Sequence, residues 1–184
     1  MMNDNKTLLA TRQWVDTMVV GMNLCPFAKR ELVNNRVRFI TTPATTEEAL
    51  LMALQTELAL LNTDSEIETT LLIHPDVLQD FYDFNDFLNL AEGLLVEMAL
   101  DGIYQIASFH PDYQFGGTQV DDAENYTNRS PYPMLHLIRE ASLALAIASH
   151  PDVDGIPKRN IALMNTLGTE KLKALLDGLF NLDK

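Results

Sequence analysis

Residues 130–149 read SPYPMLHLIREASLALAIAS, and the rest of the fold is arranged around how this stretch is read. Ser130 is a good helix N-cap. Pro131 suits the first helical position, where its missing amide hydrogen leaves nothing unsatisfied. Pro133 still falls within the first turn. Leu135, Leu137, Ile138, Leu143, Leu145 and Ile147 then put apolar side chains on nearly every side. A helix that is apolar all round is a buried helix, so the spacing predicts one central buried helix over 130–149. It would carry His136, Arg139 and Glu140 near its N-terminal end. His136 and Glu140, four apart, share a face, and Arg139 lies beside it.

The chain on the N-terminal side of this stretch alternates. Over 7–22 Leu8, Thr11, Val15, Met18, Val19 and Met22 form one stripe at helical spacing, closed by Gly21, Asn23 and Pro26. RVRFI (36–40) is a short β-rich run. Thr45-x-x-Glu48 reads as a capping box for a helix to about Leu61. ETTLLI (68–73) reads as a strand, Asp76 as the cap of a helix running to about Met98, and GIYQIASF (102–109) as a third strand. Residues 110–129 have no clear period, and a loop that long is often functional. IPKRNIALMNTLG and TEKLKALLDGLF read as two short helices divided at Gly168 and Thr169. The expected fold is a single helix-rich α/β domain over residues 1–184. It has a small central β-α-β-α-β sheet, parallel or mixed, with right-handed crossovers and C-terminal helices.

Composition narrows the partners. The net charge of −13 repels nucleic acid and anionic membranes, so neither is an expected partner. No apolar run approaches the roughly 20 residues of a membrane span. The first residues, MMNDNKTLLATRQW, lack the basic and apolar regions of a signal peptide. The single Cys25 excludes an internal disulfide framework and fits a reducing compartment, so a cytoplasmic location is expected.

The chain's 4 histidines are unevenly used. His74, His110 and His150 each open the phrase His-Pro-Asp. Proline forces its predecessor to be extended and aspartate caps the next turn, so turn chemistry accounts for Pro and Asp better than for His. The first two copies end predicted strands. In parallel strands, His74 and His110 would emerge at one sheet edge, where open α/β sheets bind ligands. The third copy reads as a helix stop.

Several groups are candidates for chemistry. His110, His136 and Glu140 could supply acid and base functions. Arg129, set before a helix N-terminus at Ser130, and Arg139 could clamp an anion, with Tyr113 and Tyr126 closing the pocket. The structural alternative is an ion-pair network tying the long loop down. His110, Asp112, His136 and Glu140 form a weak oxygen/nitrogen set for a divalent metal, without a known zinc spacing. Cys25-Pro26 resembles half of a redox motif, but Ala28 stands where a second cysteine would, leaving a lone thiol or a buried structural one.

GMNLCPFAKR (21–30), SFHPDYQFGGT (108–118), NYTNRSPYPMLHLIREAS (125–142) and IPKRNI (156–161) together resemble a bacterial family known as domain of unknown function 1415. The likeness spans almost the whole chain. It implies a small cytosolic bacterial protein and brings no activity with it. The leading functional expectation is an enzyme acting on a small anionic carboxylate or phosphate metabolite. The alternatives are a non-catalytic small-molecule-binding or adaptor protein with a structural polar cluster, and a single-cysteine redox protein. Cofactor and oligomeric state stay open at this point.

Overall fold

The computed structural model describes residues 2–180. Helix α1 (Met2–Trp14) runs on as a π-helical segment, Val15–Val20, and ends where Asn23 turns left-handed at φ 54°. A short helix α2 (Ala28–Val33) follows. Strand β1 (Val37–Thr41), helix α3 (Glu47–Thr63), strand β2 (Thr69–Ile73), helix α4 (Phe81–Glu97) and strand β3 (Tyr104–Phe109) are the expected alternation. Thr46, one residue later than expected, caps α3 by accepting from the Ala49 amide. Helix α4 starts at Asp80, whose carboxylate accepts from the amides of Tyr82 and Asp83. Asp76 does not cap it, because Leu78 is left-handed (φ 56°), a conformation that interrupts any helix begun earlier.

The stretch 130–149 departs from the expectation. Residues Met134–Arg139 form strand β4, and only Glu140–Ser149 are helical, as α5. Strand β4 lies inside the sheet, whose order is β1-β2-β4-β3. It pairs antiparallel with β2, Leu71 facing His136, and antiparallel with β3, Ala107 facing His136. Strands β1 and β2 are parallel. The sheet is therefore mixed. A central strand covered on both faces is a near-continuous apolar run, which periodicity cannot separate from a buried helix. Pro131 and Pro133 hold their predecessors extended and lead into the strand. The Ser130 hydroxyl, expected to cap a helix, donates instead to the Tyr132 carbonyl at 2.7 Å.

Each face of the sheet has its own apolar layer. Helices α3 and α4 cover the first with Leu50, Leu54, Leu58, Phe84, Phe87 and Leu94, against Leu72, Leu135 and Leu137. Helix α1 and the C-terminal helices α6 (Gly155–Leu167) and α7 (Thr169–Gly178) cover part of the second. There Trp14, Met18, Met164 and Leu172 meet Phe39, Leu71, Ile73 and Met134. The division between α6 and α7 falls at Gly168 (φ 79°), as expected. Helix α5 is the exception: none of its residues is buried, and Leu145 is 73% exposed. Among the described residues no helix is long and apolar enough to cross a membrane.

Arg139 fastens the end of β4 to the end of α3. Its guanidinium donates to the carbonyls of Leu61, Asp64 and Ile67 and to the Tyr104 hydroxyl. Carbonyls in the last turn of a helix have no partner within it, and a charged donor satisfies them well. Replacing Arg139 by Met should lower stability in urea unfolding by about 3 kcal/mol. A loss below ~0.5 kcal/mol, the scale of ordinary surface substitutions, would contradict this role.

Candidate functional site

The groups expected to share one pocket lie on opposite faces of the sheet. His110 follows β3 and turns toward the α4 face. Its ring lies 5.1 Å from that of Phe84 and 5.5 Å from that of Phe81. His136, in β4, turns to the other face, with its ring 6.2 Å from that of Phe109. The two histidines therefore cannot ligate one metal ion, and among the described residues no cluster of three or more His, Cys, Asp or Glu is placed to hold one. Glu140 begins α5 and does not line the large cavity on the His136 face.

The expected anion clamp is engaged elsewhere. Arg129 is 8% exposed and donates to the carbonyls of Tyr113 and Val120, its guanidinium 4.6 Å from the centre of the Tyr126 ring. It ties the 110–129 loop to itself, and no helix N-terminus follows it. Asn125 and the short 3-10 helix Ala123–Thr127 complete that loop. Tyr113 packs on Phe81 and Phe115, and Tyr126 is buried. The alternative expectation is an ion-pair network; Arg129 is instead held by backbone carbonyls of the loop.

The His-Pro-Asp phrases have a structural explanation that includes the histidine. In the second and third copies the ring Nδ1 accepts the backbone amide two residues on: Asp112 to His110 at 3.0 Å, and Asp152 to His150 at 3.2 Å. His110 Nε2 is then the protonated nitrogen and donates to the carbonyl of the left-handed Leu78 at 3.1 Å. In the first copy His74 Nδ1 donates instead to the Val77 carbonyl, leaving Nε2 buried without a partner among the described residues. Strands β2 and β3 do run in the same direction, so His74 and His110 emerge at one sheet edge. The space between them is filled by Phe84, which both rings contact.

The open space lies on the other face. A cleft of about 750 Å³ runs between the sheet, the end of α1 and the inner side of α5. Trp14, Val19, Phe27, Leu71, Phe109 and Leu143 supply apolar wall. Trp14 and Phe109 meet edge to face at 5.2 Å. His136 and Thr69 stand on its floor, Cys25 on its wall, and Arg30, Glu31, Arg36 and Glu68 at one end. Arg36 pairs with Glu68 and, at 3.5 Å, with Glu31. The second oxygen of Glu68 is buried, with no partner among the described residues.

The protonation of His136 is set by one neighbour. Thr69 Oγ1 is 2.6 Å from the Leu137 carbonyl and 2.6 Å from His136 Nε2. The hydroxyl has one proton, and the carbonyl can only accept it. His136 Nε2 must therefore carry a hydrogen and donate to Thr69, which leaves Nδ1 as an acceptor with no described residue bonded to it. Burial pushes the ring pKa down to about 4, so it is neutral near pH 7. Burial also pushes the Cys25 thiol above its usual range, the backbone amides of Phe27 and Ala28 offsetting only part of the effect. Thr69, Glu68 and Arg36 were not candidates in the sequence. Their relation to His136 depends on the register of β4 against β2, which no local pattern encodes.

Together these features define an α/β protein with a half-open, largely apolar cleft on one face of a mixed sheet. The chain belongs to the family described as "Protein of unknown function (DUF1415)", whose model matches residues 6–174. No curated protein and no solved structure matches it.

The buried groups lead to two expected outcomes. His74, fully buried, has its pKa lowered by burial to about 4, as has His136. Both values lie below the ordinary 6.5, so the unfolded chain binds more protons between pH 6.5 and 4. Stability should be full above about pH 6.5 and fall as the pH drops, His74 alone accounting for about 2 kcal/mol by pH 5. Urea midpoints that stay flat from pH 7 to 5 would contradict this. Cys25 should react with a disulfide probe at pH 7.5 more slowly than a thiol in an unstructured peptide. Equal or faster reaction would restore the redox expectation.

Proposed function

We propose that this protein binds a small, largely apolar molecule in the cleft between the sheet and α5. One observation carries the proposal: about 750 Å³ of space bounded mainly by apolar side chains, with a few polar groups converging on its floor and end. Ligand sites have this size and this mixture. Protein interiors hold few voids larger than a water molecule, so a cleft of this extent is not a packing residue. Helix α5 supports the same reading. It is anchored at its start through Arg139 and near its end by the His150 ring against Phe27, while Leu143 and Ala146 face the cleft.

An anionic metabolite fits less well. Arg129 and Arg139 are occupied by backbone carbonyls, and the guanidiniums at the cleft end are matched by Glu31 and Glu68. An enzymatic role has one supporting observation, the unshared lone pair of His136 Nδ1, which could act as a base toward a bound molecule. No described side chain is hydrogen-bonded to that nitrogen as a nucleophile or acid partner would be, so binding is the better-supported function.

The fluorescent apolar probe diphenylhexatriene should bind with micromolar affinity and brighten. Ala107 faces His136 from β3 and lines the cleft. Its replacement by Trp fills the floor and should weaken probe binding at least tenfold, with the circular dichroism spectrum retained. Equal binding by both proteins, or no binding by the wild type, would refute the proposal.

A further inference from the structure

We infer that the cleft selects a ligand whose polar end is a neutral hydrogen-bond donor, such as an aliphatic alcohol, which donates to His136 Nδ1 while its hydrocarbon part lies along Trp14 and Phe109. The inference rests on the cleft being a ligand site and specifies the chemistry it accepts.

The polar atoms around the cleft dictate this selection. Thr69 is a donor by type, but its proton is engaged by the Leu137 carbonyl. Arg36 donates to both Glu68 and Glu31 and approaches the Ser65 carbonyl at 3.5 Å. Arg30 lies at the outer end with its side chain 80% exposed, and pairs with Glu31 at 3.6 Å. The Ser149 hydroxyl donates to the Ala146 carbonyl. Ser142 both donates and accepts, so it selects nothing. Apart from Arg30 at the outer end, Ser142 and the weakly donating Cys25 thiol, the side-chain atoms that have no partner among the described residues are acceptors: His136 Nδ1 and the buried oxygen of Glu68. A carboxylate or phosphate end would set lone pairs against lone pairs and add a charge beside Glu68. An ether or hydrocarbon end would leave Nδ1 unpaired once water is displaced, and an unmade hydrogen bond in an apolar site is costly. A donor end removes that cost.

Thr69 is a positioning residue here. It would not touch the ligand's polar end. By accepting from Nε2 it keeps the proton there and so keeps Nδ1 free to accept. The role predicts a consequence that mere packing would not. Valine at position 69 has nearly the same shape but no acceptor, so the imidazole is free to place its proton on Nδ1 and present a donor to the cleft.

The test compares three compounds of nearly equal size as displacers of diphenylhexatriene: 1-octanol, 1-methoxyheptane and octanoate. Octanol should displace the probe at about tenfold lower concentration than the ether, the worth of one buried hydrogen bond, and octanoate should be the weakest. The octanol-to-ether ratio, taken relative to each protein's own affinity for diphenylhexatriene, should fall to one in His136→Phe and shrink in Thr69→Val. Independently, ¹⁵N shifts of the histidine rings, assigned with His136→Phe, should show His136 protonated at Nε2 in the wild type and a mixture in Thr69→Val. Equal displacement by octanol and ether, a preference for octanoate, or wild-type protonation at Nδ1 would overturn the donor selection while leaving the cleft as a binding site. Failure of every compound, with failure of the probe itself, would overturn both.

Discussion

Strand β4 enters antiparallel between β2 and β3, and the shape of the 110–129 loop and the placement of the histidines both follow from that insertion. Strands β1, β2 and β3 arise from the β-α-β-α-β run and point one way, but β2 and β3 do not touch. Residues 134–139 fill the gap and satisfy the hydrogen-bonding edges of both neighbours. Unpaired backbone groups in a buried sheet are costly, so the sheet is complete only when the chain has returned through the 110–129 loop. That return explains why the loop is tightly self-bonded. Arg129, Asn125 and His110 hold it in the shape that delivers Pro131 and Pro133 to the start of β4.

The same insertion divides the histidines. Strand alternation sends Leu135 and Leu137 into the layer under α3 and α4, and Met134 and His136 to the opposite face. His74 and His110, at the strand ends, fall on the α4 side and become part of its packing around Phe84. Buried and bonded to backbone, these two act as neutral turn locks. His136 is the histidine that lines the cleft, with Nδ1 unshared among the described residues. The ring that the His-Pro-Asp repetition does not mark is the one with chemistry available to it.

Much of the fold was legible because its signals are local. The stripes and caps of α3 and α4, the β-rich runs of β1 to β3 and the break at Gly168 are read within a few residues of themselves. Cap positions slipped where backbone strain decides them, as at Leu78. Strand β4 was not legible. MLHLIR is apolar toward both faces, and it runs directly into EASLALAIAS, a sequence of good helix formers, so the two merge into one apparent helix. The site was legible to the extent that His136 is a polar residue amid apolar ones. Its partner Thr69 lies 67 residues away in sequence, and the contact exists only in the register that β4 adopts. Arginines misled for a related reason. Arg129 and Arg139 looked like ligand clamps because backbone carbonyls, their actual partners, leave no mark in a sequence.

His136 lies on the floor of an apolar cleft with Nδ1 offered to whatever enters. A crystal of the protein soaked in 1-octanol should show one alcohol molecule in the cleft, its chain against Trp14 and Phe109 and its oxygen about 3 Å from His136 Nδ1. A cleft closed by side chains, or an alcohol bound with its oxygen away from that nitrogen, would contradict it.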